Sequence, residues 1–202
     1  MHYTAEQGHK PALRYDPFKA IVSPRPIGWI STRSALGVPN LGPYSFFTAI
    51  ASRPNMIAFS SDGLKDSARN ARDTGEFVFN LATMDLLEAM NASSAEVAPE
   101  VNEFDLAGIA MAPALCVKAP RVAAAAAALE CRTTSFQEIQ DIEGRGIDRY
   151  LIIGQVVATH IDDRFLKDGR FDTAAARPLA RLGYKDYAVV DSVFELSRPD
   201  EA

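Results

Sequence analysis

The sequence predicts one mainly β domain with a few flanking helices. Its 202 residues are enough for one substantial hydrophobic core and are few for two independent domains. Proline and glycine, 12 of each, interrupt the chain at fairly even intervals, and the short segments between them are typical of a chain in which strands outnumber helices. The sequence contains no internal repeat and no Gly/Ser linker, which also favours a single domain.

The predicted strands are rich in Ile, Val, Phe and Tyr and are bounded by turn residues. The first covers residues 27–32 and turns through residues 34–37 into a second extended run that starts beyond Pro39. Gly37 supplies the positive φ that such a hairpin turn favours. The remaining strands are predicted over residues 55–60, 76–81, 150–161 and 191–196.

Two helices are predicted among these strands. The first covers residues 66–73, where Asp66 is able to cap free amides at the start and Gly75 follows the end. The second covers residues 84–91, with Thr83 as its N-cap. Its apolar face, which we expect to pack on the core, consists of Leu86, Leu87 and Met90.

An uninterrupted alanine run covers residues 123–128, and propensity alone would make it a helix. Pro120 precedes the run, however, and the β-like residues 129–135 follow it. Because tertiary context often overrides propensity, we expect extended structure there.

Composition argues against several classes of function. The net charge of -5 and a pI near 5.2 disfavour a nucleic-acid surface, which needs clustered Lys and Arg. No window is apolar enough for a membrane span, and residues 1–10 lack the pattern of a secretory signal, so we expect a cytoplasmic protein.

Three histidines without ligand spacing predict no metal site. We expect Cys116 and Cys131 to stay reduced and buried.

Three stretches carry the chemistry of one predicted site: residues 24–32, 39–48 and 59–70. In a β-barrel, the segment after Pro43 places hydroxyl and backbone donors beside aromatic rings, which suits a planar heterocycle such as a flavin. The third stretch ends in a helix that begins near Asp66, and the start of a helix attracts anions such as phosphate.

The order of these motifs resembles that of the flavin reductase-like, FMN-binding split-barrel family. The resemblance rests on Ser-Pro-Arg-Pro-Ile-Gly-Trp-Ile-Ser-Thr from Ser23, on Pro-Asn-Leu-Gly-Pro-Tyr-Ser-Phe-Phe from Pro39, and on Phe-Ser-Ser followed by Lys-Asp-Ser-Ala-Arg-Asn and Thr-Gly-Glu-Phe-Val-Phe-Asn. Weaker similarities extend it from about residue 17 to residue 194. We therefore place the domain at residues 17–196, between an N-terminal extension, 1–16, and a short acidic tail, 197–202, which we expect to be disordered.

The resemblance implies a six-stranded, Greek-key-like split β-barrel that forms a homodimer, with FMN near the subunit interface. It also implies NAD(P)H as the usual reductant, without a Rossmann domain. The sequence agrees on this last point, since the nearest approach to a dinucleotide fingerprint, residues 144–146, lacks the third glycine.

The family's FMN-binding residues transfer to matching positions of this chain. The resemblance implies that these residues form three groups. The first lies along the flavin ring and ribityl chain, the second beside the ribityl phosphate, and the third around the phosphate itself. Of the third group, Lys65 is expected to neutralise charge, and Asp66 to cap the helix without touching the ligand. The three groups are Pro43, Tyr44, Ser45, Phe46 and Phe47; Ser60 and Ser61; and Lys65, Asp66, Ser67 and Asn70.

Several of the conspicuous residues also have plainly structural interpretations. An aromatic pair such as Phe46 and Phe47 belongs more often to a core than to a cofactor site, but the flanking motifs favour flavin contact here. Trp29, with residues 24–26, is interpreted as part of a rigid entry to the first strand, ahead of a functional lip, and Arg69 as part of a solvated helix face. His160 is interpreted as a surface ion pair with the carboxylates that follow it, ahead of a catalytic role.

Tyr184 has two interpretations that the sequence leaves open. It approaches the flavin across the dimer, or it only packs against the C-terminal strand.

Two functions are consistent with these residues. In the first, an FMN-dependent oxidoreductase uses NAD(P)H to reduce flavin and passes the electrons to a second flavin, a metal chelate or a partner protein; no catalytic side chain is then required, because the cofactor does the chemistry. In the second, the chain is a non-enzymatic FMN carrier or a flavoredoxin-like electron-transfer protein without a nicotinamide site.

Overall fold

The structure, a computed structural model, describes residues 1–10 and 12–199. Residues 200–202 of the predicted acidic tail lie outside this range. The strands in the described residues are β1 (Arg25–Pro26), β2 (Gly28–Arg33), β3 (Pro39–Tyr44), β4 (Phe47–Ser52), β5 (Asn55–Asp62), β6 (Glu76–Leu81), β7 (Met111–Ala112), β8 (Arg121–Val122), β9 (Ala127–Gln140), β10 (Gly146–Ile161), β11 (Leu166–Lys167), β12 (Arg170–Phe171), β13 (Leu179–Arg181) and β14 (Tyr187–Val189).

The helices are short and lie between or beside the strands. They are α1 (Phe18–Ile21), α2 (Asp66–Thr74), α3 (Leu87–Ala92), α4 (Glu103–Leu106) and α5 (Thr173–Ala176), with 3-10 turns at Met84–Leu86 and Asp163–Phe165. No helix within the described ranges is long and apolar enough to cross a membrane.

The main sheet has seven strands in the order β3-β2-β6-β9-β10-β5-β4, and neighbouring strands are antiparallel. Its two edge strands, β3 and β4, are separated in the chain only by Ser45 and Phe46, so the sheet closes on itself at this joint. The Ser60 amide donates to the Phe46 carbonyl at 2.8 Å and holds the joint against β5. The predicted mainly β split barrel is confirmed. The sheet has seven strands where six were expected, because the joint divides one of the six into β3 and β4.

Strand β2 separates two hydrophobic clusters. Successive side chains of a strand point to opposite faces, so Trp29 and Ile30 enter different clusters, and both are fully buried. Trp29 joins residues from helices and loops outside the barrel, whereas Ile30 faces the barrel interior. The outer cluster includes Leu41, Met90, Phe104, Val122 and Leu179. The inner one includes Ile57, Phe59, Phe77, Cys131 and Ile152.

Five of the predicted strands are confirmed as β2, β3, β5, β6 and β10. The prediction of a strand over residues 191–196 is wrong. The last strand is β14, which pairs with β13 from Leu179↔Val189 to Arg181↔Tyr187. Within the described residues, 190–199 pair with no strand, and Phe194 and Leu196 are 89% and 88% exposed.

Both predicted helices are present, but their starts differ from expectation. Helix α2 begins at Asp66, yet its N-cap is Lys65, so the prediction that Asp66 caps the helix is wrong; the Asp66 carboxylate accepts from Arg69 instead. The second helix starts as a 3-10 turn after Thr83, whose side chain makes no capping bond. Its apolar face packs on the outer cluster as predicted, with Met90 buried and Leu86 and Leu87 partly buried.

The alanine run is not helical. Ala123 and Ala124 form a turn after β8, and only Ala127 and Ala128 are in a strand, so the expected extended structure is confirmed in part. The turn brings the Ala123 amide to the carbonyl of Ala110, 2.9 Å away. Tertiary pairing has therefore overridden the helix propensity of alanine.

Cys116 and Cys131 are both free thiols in different surroundings. Cys131 is buried in the inner cluster, and burial, with a smaller contribution from the Glu130 charge, raises the pKa of its thiol to about 12. Cys116 is exposed, so the expectation that both would be buried is wrong for this residue.

Candidate functional site

A cavity of about 730 Å³ opens where the joint between β3 and β4 meets the start of α2. One wall is the end of β3 and the joint itself, and another is the end of β5 with the first residues of α2. Residues 93–97, which follow α3, and Glu103 of α4 complete the enclosure. Further lining residues are Lys19, Ile139 and Arg149.

The cavity brings together most of the residues that the sequence predicted for one site. Eight of them line it: Pro43, Tyr44, Ser45, Phe46, Ser60, Lys65, Asp66 and Ser67. They come from two of the three predicted stretches, residues 39–48 and 59–70, which meet because β3 and β5 approach each other beside the joint. No residue of the remaining stretch, 24–32, lines the cavity.

Three predicted site residues lie outside the lining. The Phe47 ring stacks on Phe79 with ring centres 4.7 Å apart and packs against the inner cluster. The Ser61 hydroxyl is buried and donates to the Gly63 carbonyl at 2.7 Å. The Asn70 side chain is buried and its amide donates to the Thr32 hydroxyl at 3.0 Å. These side chains make contacts within the protein next to the lining residues. Their predicted contact with a ligand stays a prediction.

Two aromatic residues give the cavity an apolar surface. Tyr44 packs at a tilt against Phe59, with ring centres 4.9 Å apart. Burial raises the pKa of Tyr44, and the nearby Ser67 and Ser61 hydroxyls only partly offset this, so its hydroxyl stays protonated at neutral pH. Phe46 is exposed at the joint, and the guanidinium of Arg25 lies 5.9 Å from its ring centre.

A buried polar network beneath the cavity was not predicted from the sequence. Glu103 accepts a hydrogen bond from the Asn40 side-chain amide at 2.8 Å and another from the Leu41 backbone amide at 3.1 Å. The Asn40 side-chain oxygen in turn accepts from the Ser67 hydroxyl at 2.6 Å. Burial raises the pKa of Glu103, although these donors partly offset it. The network fixes the backbone of β3 relative to the start of α2.

The other end of the cavity carries paired charges. Lys65 lies 3.3 Å from Glu96, and Arg149 lies 2.8 Å from Asp62. The first backbone amides of α2 have no acceptor within the helix, and the helix dipole adds partial positive charge at that point. This end of the cavity therefore suits an anionic group.

Trp29 positions the segment that closes this end. Its indole Nε1 donates to the Ser93 hydroxyl at 2.9 Å, and that hydroxyl donates to the Met90 carbonyl at 2.8 Å. Trp29 is thus a buried residue of β2 with a structural role, whereas the rigid entry to the first strand stays a prediction. Residues 93–97 carry no local sequence signal for a binding site, and they reach the cavity only because α3 packs on the outer cluster.

The remaining residues of interest lie away from the cavity lining. His160 contacts the fully buried Glu130, with Nε2 and Oε1 2.5 Å apart, so the prediction of a surface pair with the following carboxylates is wrong. Arg69 lies on the exposed side of α2 and pairs with Asp66 at 2.7 Å. Tyr184 is exposed and its ring meets Tyr15 edge-on, with ring centres 5.8 Å apart.

Residues 1–10 and 12–199 contain no group of three His, Cys, Asp or Glu side chains that could hold a metal ion.

Comparison with known proteins identifies the family. A family model described as a flavin reductase like domain matches residues 22–180, which is most of the chain. The chain belongs to the flavin reductase-like family. An uncharacterized protein from Halalkalibacterium halodurans is 36% identical over 183 residues, covering 88% of this chain and 87% of that protein. Another, from Deinococcus radiodurans, is 38% identical over 202 residues, covering 93% of this chain and 85% of that protein.

Solved structures of this family share the fold. Nitrilotriacetate monooxygenase component B from Bacillus cereus matches with a TM-score of 0.88 and 28% identity, covering 97% of this chain and 98% of that one. A candidate flavin reductase with a split barrel domain from Shewanella frigidimarina has a TM-score of 0.81 at 21% identity, covering 98% and 99%. Flavoredoxin of Desulfovibrio vulgaris has a TM-score of 0.77 at 18% identity, covering 88% and 93%. This flavin reductase-like chain is therefore a split-barrel protein, and its family indicates oxidoreductase chemistry.

Proposed function

We propose that the chain is an FMN-dependent oxidoreductase of the flavin reductase type. In this proposal NAD(P)H reduces the flavin, and the electrons then pass to a second acceptor such as another flavin, a metal chelate or a protein. The observation that carries the proposal is that one and the same cavity contains an aromatic surface at Tyr44 and Phe46 and an anion-binding end at Lys65. Because reduced nicotinamide nucleotides are available inside the cell, the proposal places this activity in the cytoplasm.

The residues present fit FMN in both shape and chemistry. A volume of about 730 Å³ is in the range of cofactor pockets, and the joint offers aromatic rings together with backbone polar groups for a planar ring system. Lys65 and the free amides of α2 would hold the phosphate. FMN supplies the redox chemistry when it is bound, since it accepts and releases electrons in a way that no side chain can.

The protein's own contribution is binding and orientation. Among the described residues that line the cavity there is neither His nor Cys, and the raised pKa of Tyr44 keeps its hydroxyl protonated at neutral pH. The Glu103 network holds β3 in place, and the stacking of Phe47 on Phe79 fixes the start of β4. Two rigid anchors on either side of residues 45–46 give the joint a defined geometry, and precise positioning is the main requirement when the cofactor does the chemistry.

A reduction experiment under anaerobic conditions tests the proposal. FMN is added to the purified protein, NADH or NADPH is mixed in, and the long-wavelength absorption band of oxidised flavin is followed over time. We expect the band to bleach much faster with the protein than with FMN and nucleotide alone. If dithionite bleaches the protein-bound flavin but neither nucleotide does, reductase activity with these donors is refuted.

That last outcome would favour the second candidate, an FMN-binding electron-transfer or flavin-carrier protein. The likeness to flavoredoxin, in which most of both chains is covered, supports this candidate at the level of the fold. The two functions differ in the need for nicotinamide, because an electron-transfer protein receives its electrons from another protein.

We also propose that the chain acts as a homodimer with the cavity near the subunit interface. Strand β4 is an edge of the main sheet beside the cavity, and five of its six residues are exposed. Ile50 in this strand is 47% exposed. Phe46, which directly precedes the strand at the joint, is also exposed. An edge strand with exposed apolar residues is suited to pairing with another chain.

Replacing Ile50 with glutamate tests the interface. A charge on this surface would have to be desolvated in a dimer, so we expect I50E to shift the protein toward monomers. Light scattering coupled to size-exclusion chromatography measures the mass. Ile142→Glu is the matched control, since Ile142 is 99% exposed in the turn between β9 and β10, away from β4. An I50E protein that keeps the mass of the wild type would rule out β4 as the interface.

A further inference from the structure

We propose that Glu96 competes with the ligand's phosphate for Lys65 and thereby sets how tightly phosphorylated flavins bind. This inference rests on the proposed function, since it assumes that the cavity binds flavin. Lys65 is one of two cations at the anion-binding end of the cavity, and its ammonium already lies 3.3 Å from the Glu96 carboxylate. The Glu96 carboxylate partly neutralises this ammonium, so a phosphate bound here competes with Glu96 for the charge of Lys65.

The charges that line the cavity make this competition consequential. Carboxylates outnumber cations by one: the cations are Lys19, Lys65 and Arg149, and the carboxylates are Asp62, Asp66, Glu96 and Glu103. A phosphate monoester carries between one and two negative charges at neutral pH, so it enters a cavity that offers no excess of positive charge. Movement of Glu96 out of the cavity removes one of the opposing charges and frees Lys65 at the same time.

Glu96 is placed so that it can move. The near end of its segment is fixed by Ser93, which is buried and bonded to Trp29 and to the Met90 carbonyl. Glu96 lies three residues further on, and its side chain is 90% exposed. The Lys65 side chain is 52% exposed, so the pair is screened by water and weak. By contrast, Asp62 is held to Arg149 at 2.8 Å, and Glu103 is locked in its buried network.

Binding of FMN and riboflavin to wild-type protein and to Glu96→Gln separates this effect from others. The two flavins share the ring and ribityl chain, but riboflavin lacks the phosphate. We expect E96Q to bind FMN two- to fivefold more tightly at low ionic strength, on the order of the worth of an exposed ion pair. The gain should shrink as salt is added, and riboflavin affinity should stay unchanged. Quenching of flavin fluorescence gives the dissociation constants.

Glu88→Gln is the control for a change in net charge alone, because Glu88 is exposed on α3 and does not line the cavity. The decisive comparison adds Lys65→Met. If Glu96 acts mainly through Lys65, the E96Q gain must be clearly smaller in the K65M background, where only the direct repulsion between Glu96 and the phosphate remains. Equal FMN affinity for wild type and E96Q, or an equal gain for riboflavin, overturns the inference while leaving the proposed function intact. Wild-type protein that binds neither flavin overturns both.

Discussion

Replacing Glu130 with glutamine is expected to lower the free energy of unfolding by about 3–5 kcal/mol, the usual cost of breaking a buried charged network. One carboxylate oxygen accepts from the Leu115 amide at 2.6 Å and contacts His160 Nε2 at 2.5 Å. The other accepts from the amides of Cys116 at 2.5 Å and Val117 at 3.2 Å. The side-chain NH₂ group of a glutamine donates and cannot accept, so it would face these backbone donors and leave some of them without their acceptor.

Urea unfolding followed by circular dichroism measures this loss. Glu143→Gln is the matched control, because Glu143 also pairs with a cation, Arg145 at 2.9 Å, but does so in water at the turn between β9 and β10. An exposed pair of this kind is worth less than about 1 kcal/mol. A Glu130→Gln loss no larger than that of the control would show that the buried network does not stabilise the fold.

Ionisation of the Glu130 carboxylate makes the free energy of unfolding depend on pH, and the sign of this dependence follows from the shifted pKa. Burial alone would raise the pKa of Glu130, but the hydrogen bonds from His160 and from the amides of Leu115 and Cys116 outweigh it and lower the pKa. A carboxyl whose pKa is lowered by folding stabilises the folded state above its ordinary pKa, and this contribution is lost as the pH falls through the lowered value. The stability of E130Q should therefore fall less steeply on acidification than that of the wild type.

Replacing Lys65 with methionine is expected to weaken FMN binding about tenfold, which corresponds to about 1.4 kcal/mol for one charge-assisted contact to a phosphate. Methionine retains most of the apolar length of the lysine side chain and removes only the charge. Riboflavin, which has no phosphate, should bind K65M as it binds the wild type. Fluorescence titration measures both constants.

The control for Lys65 is Lys167→Met, since Lys167 is exposed in β11 and does not line the cavity. A parallel loss of riboflavin affinity in K65M would mean that Lys65 maintains the shape of the cavity, and it would remove the assignment of the phosphate to this end. An unchanged FMN affinity would place the phosphate elsewhere.

Features that depend on neighbouring residues could be predicted from the sequence. The apolar runs of β2, β5 and β6 are flanked by turn residues, and helix α2 ends at Gly75, which adopts a positive φ of 71°. Eight of the eleven predicted site residues line one cavity because they lie in motifs whose order resembles that of a known family. Composition alone indicated a mainly β domain, and only these motifs pointed to a flavin.

Contacts between distant residues could not be predicted in this way. Glu103 and Asn40 are 63 positions apart, and His160 and Glu130 are 30 apart, so no local pattern links either pair. The local sequence of residues 191–196 predicts a strand, yet within the described residues β13 pairs with β1 and with the three residues of β14, and the chain beyond β14 forms no ladder.

Local chemistry therefore determined where strands and helices form and which segments carry polar and aromatic residues. Closure of the barrel at residues 45–46 decided which of those residues meet in the cavity, and packing of α3 brought Glu96 to Lys65. The reason is physical: propensities and turns act over a few residues, whereas a cavity and its charges arise when burial of apolar surface joins segments that are far apart in the chain.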